Sequence, residues 1–252
     1  MSSRDSAAAG VSSPQSPTLE PATHRADIDL TAVISDPGLT EDTALALLKR
    51  SDLPPEVLEL LSKKSVAKNR KVRRALVSHS RTPRYVSIAL IRYMFTFELM
   101  QVALSPVVPP DIKIAAEGAL LNRLETIPCG ARRSLARRAS GRVAAGLLLD
   151  ADAGVCHAAL DNPRLTEAHV TKALLGHVSA ALVKAVCAHA KWSVRRDIRM
   201  ALLRNANTPP SRALEFAEGF SPPLLREVLS SSRLPAAIKA RLLKGIAERP
   251  RD

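Results

Sequence analysis

Three features of the sequence predict an all-α fold. Ala and Leu dominate the apolar residues while aromatics make up only 3% of the chain, a mix that favours helix over sheet. Apolar residues recur at helical spacing within short stretches, as in Val72, Ala75 and Leu76 or Ile198, Ala201 and Leu202. Pro and Gly fall at intervals that hold helices to about three turns. The 252 residues, 46% of them hydrophobic, can bury a substantial core as one large domain or two small ones.

Residues 1–25 are rich in Ser, Ala and Pro without apolar periodicity and are expected to be a disordered leader. The ordered domain is expected over 26–250. Thr40 is placed to cap a first helix running to Lys49, and Leu53-Pro-Pro-Glu56 to open a second whose apolar set is Val57, Leu58, Leu60 and Leu61. Asn69 to Ser78 forms a third. Arg81-Thr-Pro83 separates it from a fourth through Tyr85–Met94, and a further helix continues to Leu104. Later helices are expected to start near Pro110, Pro128, Gly141, Asp152, Thr166, Ser179, Ser193, Pro209, Pro222 and Pro235, twelve to fourteen in all. In Trp192 to Ala217, Val194, Ile198, Ala201 and Leu202 share one face. Thr208 is the expected N-cap of the helix that follows, with Pro209 in its first turn.

These units recur. Val72-Arg-Arg-Ala-Leu76 precedes Ser80-Arg-Thr-Pro83, and Ile198-Arg-Met-Ala-Leu202 precedes Ala206-Asn-Thr-Pro209 at the same interval. Leu224 to Pro235 and Thr43 to Pro54 end in the same way, and Val155 to Thr166 is a looser copy. Neighbouring breaks lie 26 to 29 residues apart except over about 105–165. The pattern V/I-R-x-A-L, then N/S-x-T-P, then an apolar helix resembles the leucine-rich-repeat variant and the broader HEAT-like class of bacterial and other repeat proteins. The resemblance covers about residues 40–248. It implies a right-handed α-solenoid of stacked short helix pairs, in which each pair buries its apolar stripe against its neighbours. HEAT-like solenoids include DNA glycosylases, whose sites need a carboxylate beside several aromatics. Asp197 near Trp192 is the nearest approach to one here, and a single Trp makes a poor cleft.

Charge is the second informative property. The chain carries a net +13, unevenly spread. Residues 1–59 hold 4 Lys/Arg against 10 Asp/Glu, and residues 60–252 hold 33 against 14. An anionic partner follows from that imbalance (nucleic acid, an anionic membrane surface or an acidic protein), as does the plainer alternative of an Arg-rich solvated surface. Basic residues cluster at 63–74, 132–142, 191–204 and 239–244. On an amphipathic helix they flank the apolar stripe, so successive faces of a solenoid could merge them into one stripe that contacts phosphates without reading bases. Arg70, Lys71, Arg74, Arg133, Arg137, Arg195, Arg196 and Arg199 are the candidate polyanion-binding residues. Single-strand binders add aromatic stacking platforms. Here Tyr85, Tyr93, Phe95 and Phe97 sit in one apolar stretch and are expected in the core, and Trp192 is expected to plug a helix junction.

No catalytic motif is present: the sequence lacks GxSxG, a Gly-rich phosphate loop and HExxH. Cys156-His157 and Cys187-Ala-His189, with His169 and His177 between, lack metal-ligand spacing, so no metal or cofactor is expected. Cys156 and Cys187 fall where small apolar residues pack. Three unpaired cysteines indicate a reducing compartment. The first residues lack the apolar run of a signal peptide, and Tyr85–Leu104, the most apolar stretch, is broken by Arg92 and Glu98. The expected protein is a cytoplasmic, non-enzymatic scaffold that binds a protein partner on a helical-repeat surface, with nucleic acid binding through a basic face as the alternative.

Overall fold

The computed structural model describes residues 30–176 and 179–248. The leader expected over 1–25, His177 and both ends of the expected 26–250 domain lie outside the described residues. Within them the chain is helices and turns with no strand. After a helical segment at 30–35 come α1 (Glu41–Leu48), α2 (Pro55–Lys63), α3 (Arg70–Ser78), α4 (Arg84–Ile91), α5 (Thr96–Leu104), α6 (Pro110–Leu121), α7 (Cys129–Arg138) and α8 (Gly141–Leu147). They are followed by α9 (Ala153–Leu160), α10 (Glu167–Leu175), α11 (Ala180–Ala188), α12 (Arg196–Arg204), α13 (Pro210–Glu218), α14 (Pro222–Ser230) and α15 (Ala236–Ala247). Short 3₁₀ turns occupy Ser65–Lys68 and Leu124–Thr126.

The starts of these helices follow from local chemistry. Thr40, Asn69, Ser140, Asp152, Thr166 and Ser179 each accept a backbone N–H of the first turn, filling donors the helix leaves orphaned. Helices α2, α6, α13 and α14 carry Pro in the first turn, where its missing N–H costs nothing. Thr208 acts differently from expectation. Pro209 is the cap of α13, and the Thr208 hydroxyl donates to the Leu202 carbonyl at 2.6 Å. Thr82 does the same to Leu76 at 2.6 Å. The Thr of each Thr-Pro pair therefore closes the preceding helix, whose terminal carbonyls lack partners, instead of opening the next.

Helix α12 begins three residues later than expected, because Trp192 and Ser193 are held in a turn by hydrogen bonds to the His189 carbonyl. Val194 is thereby left outside the helix and is 61% exposed, contrary to its expected place in the apolar stripe, and Leu203 is buried beside Leu202. Leu60 is likewise exposed rather than part of the core of α2.

Helices two apart in the chain pack together. One series runs α4, α6, α8, α10, α12 and α14; α1, α3 and α5, then α7, α9 and α11, then α13 and α15 pack in the same fashion. Five helix ends reinforce this order with one recurrent device. A polar side chain just beyond the helix donates to a group near the end of a helix 23 to 31 residues earlier, and accepts the N–H two residues ahead. Asn162 Nδ2 donates to the carbonyls of Ala136 (2.7 Å) and Ala139 (3.1 Å), while its Oδ1 accepts from Arg164 N–H (2.7 Å). Asn205 joins Leu174 O to Asn207 N–H, and Ser232 joins Leu203 O to Leu234 N–H. His79 joins Arg50 O to Arg81 N–H, and His189 joins the Asp161 carboxylate to Lys191 N–H. Both imidazoles thus carry the proton on Nε2. Arginines add staples of similar reach: Arg81 to Asp52 O (2.9 Å), Arg123 to Met94 O (2.9 Å) and Arg212 to Cys187 O.

The buried apolar residues form two clusters. The smaller holds Leu30 to Leu76, with Leu53, Leu58, Leu61 and Leu76 at its centre. The larger runs from Val77 to Ile246 and includes Trp192, Phe216, Leu202 and both Cys156 and Cys187. Helix α3 carries the seam, since Val72 and Leu76 belong to one cluster and Val77 to the other.

Candidate binding surface

The expectation that the aromatics of 85–97 are core is wrong. Tyr85 is 60% exposed, Tyr93 69%, Phe95 57% and Phe97 41%. The cause is local. Helix α4 ends at Ile91, and residues 92–95 cross to α5 with Met94 as the inward anchor. The loop is fastened by its backbone: Tyr93 O accepts from Arg73 (2.6 Å), and Met94 O and Arg92 O accept from the two ends of the Arg123 guanidinium (2.9 and 2.8 Å). Phe95 N–H donates to Glu98 (2.9 Å), which closes the start of α5. The rings on either side of Met94 are therefore positioned without being buried. The Arg70 guanidinium lies 4.3 Å from the Phe95 ring centre, and that of Arg73 5.8 Å from the Tyr93 ring centre, both within cation–π range.

A groove adjoins the rings. Glu41, Asn69, Arg70, Lys71, Arg74 and Glu98 line a recess of about 490 Å³ at the first turns of α1, α3 and α5. Arg70 Nε pairs with Glu98 at 2.9 Å, Lys71 with Glu41 at 3.2 Å, and Arg74 donates to Gln101 at 2.8 Å. Lys71 is largely exposed in its pair with Glu41, a kind of contact that contributes about 0–1 kcal/mol, so an incoming anion can displace it at little cost, whereas Arg70 stays paired with the buried Glu98. Arg70 and Glu98 belong to both groove and aromatic patch, which makes the two one surface.

Of the eight candidate residues, the structure brings Arg70, Lys71 and Arg74 together here. Arg133 lies on α7 and pairs with Asp152 at 3.3 Å, and Arg137 is exposed on the same helix. Arg195 and Arg196 are exposed at the start of α12, while Arg199 is half-buried. Its Nε donates to Ser193 O (2.7 Å) and its guanidinium lies 5.5 Å from the Phe216 ring centre. Helix α12 packs with α10 and α14, not with α3. The Val-Arg-x-Ala-Leu unit at 72–76 and its counterpart at 198–202 therefore serve helices with different packing neighbours.

The remaining chemistry is structural. Trp192 is 2% exposed and its indole N–H donates to Leu160 O at 2.9 Å, so it plugs a junction and does not form a cleft with the exposed Asp197. Burial pushes the thiols of Cys156 and Cys187 up to about 11, keeping them protonated and unreactive. Among the described residues no group of three or more His, Cys, Asp or Glu side chains is placed to hold a metal ion. A recess of about 640 Å³ near Arg204, Asn205, Ser231 and Arg233 has no carboxylate, His or Cys in its lining. No described helix is long and apolar enough to cross a membrane. No protein-family model matches the sequence, and neither the curated proteins nor the solved structures contain a match to it.

Proposed function

We propose that the chain is a non-enzymatic binding scaffold, a right-handed α-solenoid of the HEAT-like, leucine-rich-repeat-variant kind, and that it binds a polyanion over the groove of Arg70, Lys71 and Arg74. The solenoid reading is supported by the packing of helices two apart and by the recurrent side-chain bridges across 23 to 31 residues. Three unpaired cysteines support a cytoplasmic setting. The observation that carries the polyanion reading is the exposed aromatic and arginine surface at 70–98, where the only two lining carboxylates, Glu41 and Glu98, are each already paired with a cation.

The test is a fluorescence anisotropy titration with heparin and unrelated DNA and RNA oligomers at two salt concentrations. Affinity is expected to fall with salt, and Arg70→Glu with Arg74→Glu to flatten the log–log slope by about 0.7 to 0.9 per lost phosphate contact. Arg195→Glu with Arg196→Glu, remote in packing from the groove, is expected to have the smaller effect. A second reading rests on a separate observation. Leu60, Tyr85 and Ile114 are exposed on α2, α4 and α6, and apolar side chains there suit a protein partner. Absence of polyanion binding at low salt would leave that reading in place of the first.

A further inference from the structure

Building on the polyanion reading, we infer that the ligand of this surface is a single-stranded nucleic acid, with unpaired bases stacking on Tyr93 and Phe95 and its phosphates held by Lys71 and Arg74. Four observations converge. Tyr93 and Phe95 present most of their area to solvent although Met94 between them is buried. Their loop is pinned through backbone carbonyls by Arg73 and Arg123, so the rings need little ordering on binding, and that ordering is where flexible platforms lose affinity. Each ring has a guanidinium at cation–π distance, an arrangement that strengthens stacking of a base against the same cluster. The groove cations begin at Arg70, the residue already against Phe95.

The geometry also separates single strands from the alternatives. Two residues span no more than about 7 Å of chain, so the two rings serve neighbouring nucleotides, not distant ones. In a duplex the faces of successive bases are occupied by each other, and side chains stack only on bases that have been unstacked. A duplex could use the groove cations but not the rings. An acidic protein would meet Tyr93 and Phe95 each accompanied by an arginine, whereas the cores of protein interfaces are depleted in charge.

The experiment uses the full chain and four labelled probes: a dT oligomer, a DNA duplex of the same length, heparin and poly-Glu. The Tyr93→Ala, Phe95→Ala double variant removes exposed rings, and circular dichroism checks that the fold is retained. Its affinity for the dT oligomer is expected to drop about five-fold or more per ring, with duplex and heparin affinities unchanged within two-fold. Tyr93→Phe with Phe95→Tyr is expected to restore single-strand binding, because stacking needs the ring and not the hydroxyl. Ultraviolet crosslinking of the wild type to the dT oligomer should place adducts within residues 93–97.

Four outcomes overturn the inference. Equal wild-type affinity for dT and duplex, or dT binding untouched by loss of both rings, would leave a general polyanion surface. Binding of an acidic polypeptide such as poly-Glu in preference to dT would assign the surface to a protein. Failure to bind any of the probes at low salt would remove the polyanion reading along with it.

Discussion

The seven aromatic residues divide the molecule in two. Between residues 85 and 97 four rings are exposed; between 192 and 220 three rings, Trp192, Phe216 and Phe220, are buried. Both groups keep company with cations. Arg70 and Arg73 lie against Phe95 and Tyr93, while Lys191 sits 4.1 Å from the Trp192 ring centre and Arg212 4.7 Å from that of Phe216. The same pairing thus has opposite consequences. In the C-terminal region the ring fills the core and the cation covers what remains. In the N-terminal region ring and cation together form surface. An arginine beside an aromatic is therefore no guide to function until burial is known.

The sharpest way to break this comparison is to truncate one ring of each kind. Trp192→Ala should destabilise the protein by about 3–5 kcal/mol and orphan the Leu160 carbonyl, whereas Tyr93→Ala should stay within about 0.5 kcal/mol; urea denaturation measures both. Equal losses would mean that Tyr93 is held by the fold after all.

Next in size, Leu76→Ala and Leu202→Ala should each cost about 2–5 kcal/mol, since both are fully buried, one in each apolar cluster. Different unfolding midpoints by two probes, for one variant only, would show that the clusters melt separately. Asn162→Ala should cost about 1–3 kcal/mol for each of the two carbonyls it leaves unpaired, and more than the half-buried Asn205→Ala, which orphans one.

The cysteines give a finer contrast. Alkylation of the native protein should mark the partly exposed Cys129 first, with Cys156 and Cys187 labelled only on unfolding, as read by mass spectrometry of timed samples. The smallest effect concerns acid. Arg50, through a hydrogen bond and ion pair, holds the Asp52 carboxyl at about 2, below its ordinary 3.8. A lowered folded-state value stabilises above the ordinary value and loses that contribution as pH falls through about 2. Asp52→Asn should therefore shift thermal midpoints at neutral pH and converge with the wild type towards pH 2.

Most of the helix boundaries could be read from the sequence, because caps and breakers act over a few residues. Thr40, Asn69, Ser140, Asp152, Thr166 and Ser179 cap as their identities suggest, and the proline starts fall within a residue of expectation. The exposed rings could not be read that way. Tyr93, Phe95 and Phe97 lie in a stretch whose mean hydropathy says core, and their exposure depends on Met94 alone turning inward and on Arg73 and Arg123, distant in sequence, grasping the loop. The bridging side chains left a faint trace. Asn162, Asn205 and His79 each stand four residues before the Thr or Pro that precedes the next helix, a position whose polarity recurs. The packing of α12 apart from α3 left none, since both carry the same local unit.

The bridges that tie helix ends together bear on how the chain acquires its form. The hydrogen bonds that tie helix to helix reach only about one repeat along the chain, as in the 32 residues from Trp192 to Leu160 and the 31 from Asn205 to Leu174. Closing loops of that size carries a modest entropic cost that grows only slowly with length, and folds dominated by such nearby contacts assemble fast. A chain emerging from the ribosome can seal each bridge as soon as the next helix is out, with no need to wait for its far end. The seam at α3 is spanned in the same local way, since Leu90 of the next helix, α4, packs against both apolar clusters.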